Sequence, residues 1–232
     1  MNNLLKICGI TTKKDAKMVL SFSENKPEYL GFVFFEKSKR YISWEDAKKI
    51  VSLIREKFGE NRVKFVGVFV NENLNNDAIL EKYSFLDVFQ LHGDSNIETP
   101  EFCMKLKDNL KKIGNLKKTN NQEIWKAFRV KNKKNLSEIS EYFMTDVILI
   151  DAFSDVKNEY GGSGKQVNVE ILPLLRSSIS LHQKLFIAGG INIENKDTIL
   201  ALSGADGIDL SSSVESFVGV KSEYKIKGFL DS

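Results

Sequence analysis

The chain has 232 residues, of which 42% are hydrophobic and 28% are charged, and its formal net charge at pH 7 is +3. This composition excludes an intrinsically disordered protein, and a chain of this length buries enough surface to fold without disulfides or a structural metal. The only cysteines are Cys8 and Cys103, and no CxxC pair is present, so we expect neither a disulfide framework nor a zinc site. No apolar run approaches the ~20 residues of a membrane span, and no signal-like segment is recognisable. We therefore expect a cytoplasmic protein without a membrane partner.

Basic residues are concentrated in one stretch, from Lys105 to Lys134, which contains ten Lys and one Arg against two acidic residues. Such a stretch is compatible with a nucleic-acid-binding patch, but it has few interleaved aromatic residues. Its central part, residues 111–122, is more typical of a solvated loop beside a helix end. We therefore predict no nucleic-acid partner.

Eight short runs rich in β-branched and aromatic residues recur along the chain and predict eight strands. Their starts are on average about 29 residues apart, which is the length of a strand, a loop and a helix. The pattern therefore predicts alternating strands and helices. The predicted strands are Leu4–Cys8, Tyr29–Phe35, Lys64–Val70, Val88–Leu91, Ile124–Arg129, Val147–Asp151, Leu185–Ala188 and Gly207–Leu210.

Helix signals lie between the strands. The clearest helix begins after Ser43, an N-cap residue followed by Asp46 at the third helical position, and it ends before Gly59. A second helix is predicted after Thr99, where Pro100 occupies the first helical position. Eight strand–helix units in about 230 residues favour a closed (β/α)8 barrel over an open doubly wound sheet. We predict one such domain over residues 1–232, with a Lys-rich insertion around residues 109–122.

In a barrel of this kind, the functional residues follow the carboxyl ends of the strands. Small residues follow the last two predicted strands, where backbone N–H groups can approach an anion closely, and this predicts a phosphate site. The residues at the predicted strand ends are Cys8 (first strand), Arg40 (second), His92 (fourth), Asp151 (sixth), Gly189 and Gly190 (seventh), and Asp209, Ser211, Ser212 and Ser213 (eighth).

Seven motifs in this order cover the chain from Lys6 to about Lys221, and together they resemble the phosphoribosylanthranilate isomerase family of tryptophan biosynthesis. One motif alone would be weak evidence, but seven in register are specific. They read KICGIT (6–11), GFVFFEKSKRYIS (31–43), VGVFVN (66–71), QLHGD (90–94), LIDAF (149–153) with GGSGK (161–165), AGGINIEN (188–195) and DLSSSVES (209–216).

The resemblance implies an Amadori rearrangement of N-(5-phosphoribosyl)anthranilate, an aminoaldose, to the corresponding aminoketose without a cofactor. An acid must protonate the ribose ring oxygen, and a base must remove the proton from the adjacent carbon. The resemblance assigns these roles to Asp151 and Cys8, and it assigns binding of the anthranilate carboxylate to Arg40. Because a free thiol is only a few per cent ionised near neutral pH, Cys8 requires an electropositive environment to act as the base. Family members include monomers and dimers, so either state is expected.

Each of these residues also has a purely structural interpretation. A Cys at a strand end, such as Cys8, is usually a small core residue. Cys103 lies at an apolar position of a predicted helix and matches no motif, so we assign it to the core. Asp151 would otherwise cap a loop or pair with a Lys, and Arg40 would be a solvated charge. A lone histidine near a strand end, such as His92, more often makes a structural hydrogen bond than contacts a substrate. For Asp209, binding of substrate hydroxyls and fixing of the barrel mouth remain equally open.

The GGSGK motif lacks the spacing of a nucleotide-binding loop, and a flexible lid after the sixth strand fits it better.

Ser213 stands where the family usually has Gly. If that position requires a positive φ angle, Ser costs about 1 kcal/mol there and shifts the phosphate loop; alternatively its hydroxyl gains a hydrogen bond to phosphate.

Two other functions are compatible with parts of this pattern. The aminoaldose isomerase of the histidine pathway performs the same chemistry, but it would place a carboxylate at the position of Cys8 and would need a second phosphate site. A non-catalytic phosphate-ligand or nucleic-acid-binding protein would use the stretch from Lys105 to Lys134. The presence of both Cys8 and Asp151 argues against a non-catalytic protein.

Overall fold

The computed structural model describes residues 3–23, 26–117, 122–130, 136–151 and 170–231, with the backbone alone for residues 115–117. Eight parallel strands close into a barrel in sequential order, with β1 paired to both β2 and β8. The predicted (β/α)8 barrel is confirmed. The strands are β1 (Leu4–Cys8), β2 (Tyr29–Val33), β3 (Lys64–Phe69), β4 (Val88–Leu91), β5 (Glu123–Arg129), β6 (Val147–Asp151), β7 (Lys184–Ala188) and β8 (Gly207–Leu210).

The helices differ widely in length. Two very short ones are extended by 3₁₀ turns at Ser140–Tyr142 and Arg176–Ser178. After β8 the chain forms a 3₁₀ turn at Ser212–Val214 and then a small antiparallel hairpin of β9 (Glu215–Phe217) and β10 (Val220–Lys221). The helices are α1 (Lys13–Leu20), α2 (Trp44–Phe58), α3 (Asp77–Lys82), α4 (Pro100–Lys117), α5 (Leu136–Ile139), α6 (Leu172–Leu175), α7 (Lys196–Ser203) and α8 (Glu223–Leu230).

Both helix starts predicted from sequence are confirmed. The Ser43 hydroxyl accepts a hydrogen bond from the Asp46 backbone N–H, and α2 ends at Gly59, whose φ is 94°. The Thr99 hydroxyl likewise accepts from the backbone N–H of Phe102 at the start of α4. These bonds satisfy backbone donors that a helix start leaves unpaired.

The loop predicted for residues 111–122 is wrong for residues 111–117, which continue α4. The apolar face of this helix, with Leu106 and Leu110 buried, continues through the half-buried Ile113, while Lys111 and Lys112 stay exposed. A solvent-facing run of lysines on an amphipathic helix is therefore what the sequence encoded here.

Two apolar cores follow from the alternation of side chains along the strands. The larger core fills the space between the barrel and its helices, and the smaller core fills the barrel interior. Tyr29, Trp125 and Phe186 form the bulk of the inner core, with ring centroids 4.7–5.8 Å apart. This packed interior leaves the carboxyl ends of the strands as the place for a site.

No helix in the described part of the chain is long and apolar enough to cross a membrane. The lid expected at residues 161–165 lies outside the described residues.

Candidate active site

One cavity at the carboxyl ends of the strands contains all ten residues that the sequence singled out. It encloses about 750 Å³ of empty space, counting the part that opens to solvent. The ten residues are Cys8, Arg40, His92, Asp151, Gly189, Gly190, Asp209, Ser211, Ser212 and Ser213.

A buried ion pair lies beside Cys8. Lys6 precedes Cys8 by two residues on β1, so both side chains point into the barrel. The Lys6 Nζ lies 2.6 Å from Oδ2 of Asp209 on β8, and the two side chains are 0% and 9% exposed. Sequence analysis did not single out Lys6, although its alternation with Cys8 placed it on the same face.

Burial is the largest influence on the pKa values of Cys8 and Asp209. It raises the pKa of the Cys8 thiol above its ordinary value, and the Lys6 ammonium opposes that rise. Burial also raises the pKa of Asp209, again against the effect of Lys6. Among the described residues, no hydrogen-bond donor reaches Oδ1 of Asp209, although its Oδ2 is paired. Asp209 lines the cavity, so this buried oxygen without a donor lies close to it.

Asp151 ends β6 with its side chain 5% exposed, and His92 Nε2 lies 3.2 Å from its Oδ2. On the other side of the imidazole ring, the Gln90 amide nitrogen lies 3.4 Å from His92 Nδ1. Because an amide N–H₂ only donates, this contact favours the tautomer that carries its hydrogen on Nε2, the nitrogen facing Asp151. His92 therefore lies beside the predicted acid, but its Nε2 has no hydrogen-bond partner among the described residues. Sequence analysis left its contacts open.

Arg40 is held by a carboxylate that the sequence analysis missed. Its Nε and Nη2 donate to the two carboxylate oxygens of Glu215 at 2.8 and 2.7 Å. Lys221 Nζ lies 3.0 Å from Glu215 and donates to the Ser211 carbonyl at 3.2 Å. Burial alone would raise the pKa of Glu215, but the hydrogen bonds from Arg40 and Lys221 lower it. This bidentate contact fixes the guanidinium at the cavity wall and leaves its Nη1 outside the contact with Glu215.

Gly9 makes room for Arg40. Its φ is 76°, and a Cβ at this position would lie 2.6 Å from Arg40 Cδ and 3.3 Å from the Ser211 hydroxyl. Any other residue here would push the Arg40 side chain away from Glu215.

The loops after β7 and β8, where the sequence predicts an anion site, line the cavity. Gly189 and Gly190 have φ angles of 84° and 63°, a conformation that glycine adopts without strain. The turn that follows is closed by reciprocal hydrogen bonds of 2.9 Å between the backbone N–H and side-chain oxygen atoms of Asn192 and Asn195. Because β7 and β8 are paired, this turn lies beside the serines that follow β8. Backbone N–H groups of such loops are suited to a phosphate.

Ser213 does not occupy a conformation that requires glycine. It lies in the 3₁₀ turn Ser212–Val214, and Asn71 is the only non-glycine residue with a positive φ in the part of the chain that the structure describes. The backbone cost considered for Ser213 is therefore absent.

Part of the cavity wall is apolar. Most of these side chains come from the ends of β2 and β3, and one follows β7. These residues are Val33, Phe35, Val68, Val70 and Ile191. The larger apolar side chains of the lining are thus concentrated near β2 and β3.

The Lys-rich stretch does not form a continuous basic surface among the described residues. Lys126 is fully buried and paired with Glu98 at 2.6 Å, and Lys107 is paired with Asp146 at 2.9 Å. Cys103 is fully buried in the outer core, as predicted, and burial raises the pKa of its thiol to about 12.

Comparisons with known proteins agree on one family. The family model described as "N-(5'phosphoribosyl)anthranilate (PRA) isomerase" matches residues 5–232. The N-(5'-phosphoribosyl)anthranilate isomerase of Acetivibrio thermocellus is 40% identical over 97% of this chain and 93% of its own length. A solved structure of monomers generated from the dimeric phosphoribosylanthranilate isomerase of Thermotoga maritima has a TM-score of 0.74 at 32% identity, covering 99% of this chain and 97% of that one. A phosphoribosylanthranilate isomerase in complex with reduced 1-(o-carboxyphenylamino)-1-deoxyribulose 5-phosphate has a TM-score of 0.73, also at 32% identity and the same coverage.

Proposed function

The chain belongs to the phosphoribosylanthranilate isomerase family of tryptophan biosynthesis, and from this premise we propose that it rearranges N-(5-phosphoribosyl)anthranilate to 1-(2-carboxyphenylamino)-1-deoxyribulose 5-phosphate, with Asp151 as general acid and Cys8 as general base. The observation that carries the proposal is the convergence of both residues on one cavity that is also lined by the glycines after β7 and the serines after β8. Membership of this family disfavours the histidine-pathway isomerase and the non-catalytic binding protein.

The polarity of the cavity supports one orientation of the substrate. The phosphate binds at the turn of Gly189 and Gly190 and at the serines after β8, and the anthranilate ring packs against the apolar wall near Phe35. The Arg40 Nη1 then donates to the anthranilate carboxylate, while Glu215 holds the rest of the guanidinium. The ribose lies between, where Oδ1 of Asp209 accepts a hydrogen bond from a substrate hydroxyl.

In the first step, Asp151 donates its proton to the ribose ring oxygen. The bond between this oxygen and the anomeric carbon breaks, and the nitrogen lone pair forms a protonated imine. His92 stabilises the carboxylate that the proton leaves behind, because its Nε2 lies 3.2 Å from Oδ2 of Asp151 and can donate to that oxygen after a small rotation of the ring.

In the second step, the thiolate of Cys8 removes the proton from the carbon next to the imine. The electron pair of that C–H bond moves to neutralise the imine nitrogen, giving an enolamine that tautomerises to the aminoketose. The reaction is an isomerisation with no net oxidation, so one acid and one base are sufficient for it, and we propose no cofactor. General acid or base catalysis contributes about 10²- to 10⁴-fold for each group.

The test is the fluorescence decrease as freshly generated phosphoribosylanthranilate is consumed. We expect turnover by the wild type and a loss of at least about 10²-fold in kcat for both Cys8→Ala and Asp151→Asn. Cys103→Ala is the matched control, because it removes the other thiol, which lies outside the cavity. Full activity in either site variant would overturn the assigned roles, and no turnover by the wild type would overturn the proposed substrate.

The oligomeric state stays a prediction. Both a monomer and a homodimer agree with the relatives, one of which is described as dimeric.

A further inference from the structure

Lys6 is the one cation on the same strand and face as Cys8 in the described part of the barrel, and its surroundings set it apart from a surface lysine. Its side chain is fully buried, and its ammonium contacts Asp209 on the adjacent strand at 2.6 Å. Lys6 and Asp209 are register partners across the β1–β8 pairing, so the backbone itself fixes this contact. A buried lysine is costly unless its charge is compensated, and here one oxygen of one carboxylate compensates it.

Gly31 brings Lys6 and Cys8 together. It is the register partner of Cys8 on β2. A Cβ at Gly31 would lie 2.8 Å from Cys8 Sγ and 3.2 Å from Lys6 Cε, so the thiol and the end of the lysine side chain pack against the same point of β2. The absence of a side chain at Gly31 leaves space for both groups.

Several charged groups act on Cys8 from the elements around it. Asp209 faces it from β8, Lys221 from β10 and Arg40 from the loop after β2. Lys221 and Arg40 are both engaged by Glu215, which neutralises part of their charge. Asp151 and His92 act one step further away, through Asp209. Lys6 is the cation that acts most strongly on the thiol.

We propose that Lys6 is the positioning residue that makes Cys8 a competent base: its ammonium stabilises the thiolate, and Asp209 holds that ammonium beside the sulfur and moderates its effect. The proposal rests on the proposed role of Cys8. Burial of a thiol favours its neutral form, so a base at this position needs a permanent nearby positive charge. Lys6 supplies one: burial is the largest single effect and lowers its pKa, but Asp209 and Cys8 together outweigh burial, and the pKa of Lys6 is raised above its ordinary value.

The experiment is the pH dependence of Cys8 alkylation by iodoacetamide in the substrate-free protein, with Cys8 and Cys103 resolved by peptide mass spectrometry. For Lys6→Met we expect the thiol pKa to rise by about one unit, so that alkylation of Cys8 at pH 7 slows about tenfold. For Asp209→Asn we expect the opposite, a lower thiol pKa and faster alkylation: the amide oxygen still accepts from Lys6, the Cys8 thiolate becomes the counter-charge of the ammonium, and the carboxylate that opposes the thiolate is gone. Shifts of opposite sign distinguish an electrostatic role from loss of packing.

Lys107→Met is the matched control, since it removes a lysine that is also paired with a carboxylate but lies outside the cavity. We expect it to leave the thiol pKa unchanged. If Lys6→Met does not fold, the double variant Lys6→Met/Asp209→Asn leaves no buried charge unpaired, and its thiol pKa should still be higher than that of the wild type. An unchanged pKa in the Lys6 variants, or shifts of the same sign in Lys6→Met and Asp209→Asn, would overturn the proposal.

The outcome is separable from that of the proposed function. Activity retained by Cys8→Ala would refute Cys8 as the base without altering the alkylation result. An inactive Cys8→Ala together with an unshifted thiol pKa in Lys6→Met would refute the role of Lys6 alone. As a second readout, we expect kcat of Lys6→Met to fall with little change in KM. We also expect the acidic limb of its pH–rate profile to move to higher pH together with the thiol pKa.

Discussion

Among the described residues, two buried lysine–carboxylate pairs have the same 2.6 Å separation. They differ in whether both oxygens of the carboxylate accept a hydrogen bond. In the pair of Lys126 and Glu98, the carboxylate also accepts backbone N–H bonds of 2.9 Å from Asn71 and Gly93, and the ammonium also donates to the Gly93 carbonyl. In the pair of Lys6 and Asp209, one carboxylate oxygen is left without a donor among the described residues. The complete pair fixes the loop after β4, and the incomplete one borders the cavity. The incomplete pair therefore leaves an acceptor beside the cavity that the proposed substrate would occupy, whereas the complete pair leaves none.

The largest effect that tests this comparison is on stability. Lys126→Met leaves Glu98 charged and fully buried, and we expect it to lower the free energy of unfolding by about 3–5 kcal/mol. Lys6→Met should cost less, about 1–3 kcal/mol at pH 7, because Asp209 lies at the cavity wall and can take up a proton there. Urea unfolding of both variants measures the difference.

The pH dependence of the Lys6→Met deficit has a definite sign. Burial already raises the pKa of Asp209, and loss of Lys6 raises it further. A group with a raised folded-state pKa stabilises the protein at low pH, and this contribution is lost as pH rises through that pKa. The deficit should therefore grow from pH 4 towards neutrality. Equal costs for the two lysine variants at neutral pH would contradict the comparison.

A smaller loss of stability is expected from substitution of Glu215, whose two carboxylate oxygens both accept hydrogen bonds from Arg40 or Lys221. Hydrogen bonds from Arg40 and Lys221 lower its pKa, so its stabilisation is present above the ordinary pKa of a glutamate and is lost as pH falls below it. We expect Glu215→Gln to cost about 1.5–3 kcal/mol at pH 7 and progressively less below pH 4.5. Urea unfolding at several pH values tests this, with Asp197→Asn, at an 86% exposed side chain, as the control that changes little. A cost independent of pH would refute the network.

The smallest effect is expected at Ser213. Its backbone does not need glycine, so Ser213→Gly should change stability by less than about 1 kcal/mol. If its hydroxyl binds the phosphate, KM should rise by less than about tenfold, as for one hydrogen bond, with kcat unchanged. Steady-state kinetics decide this, and an unchanged KM would assign phosphate binding to the neighbouring groups alone.

The sequence predicts the barrel well because its strands are buried apolar runs. Both ends of β1, β4, β6 and β8 agree with the prediction. The end of α4 was missed because the polar run that contains the exposed Lys111 and Lys112 resembles a loop in sequence, while the buried face that continues the helix has few residues. Local patterns thus define elements better than they define where an amphipathic helix ends.

The site residues at the strand ends were predictable from motifs, and their partners were not. Lys6 and Asp209 are 203 residues apart, and Arg40 and Glu215 are 175 apart. Which charges pair over such separations depends on the closure of the barrel and on the register of β1 against β8, and neither is present in any local stretch of sequence. The free oxygen of Asp209 was unpredictable for the same reason.

The position of the Lys6–Asp209 pair has a consequence for the synthesis of the protein. The pair joins the first strand to the last, at the seam where the barrel closes. During translation, Asp209 is therefore synthesised 203 residues after Lys6, and the ion pair cannot form before then. The proposed site is therefore complete only once the last strand has paired with the first and the barrel has closed.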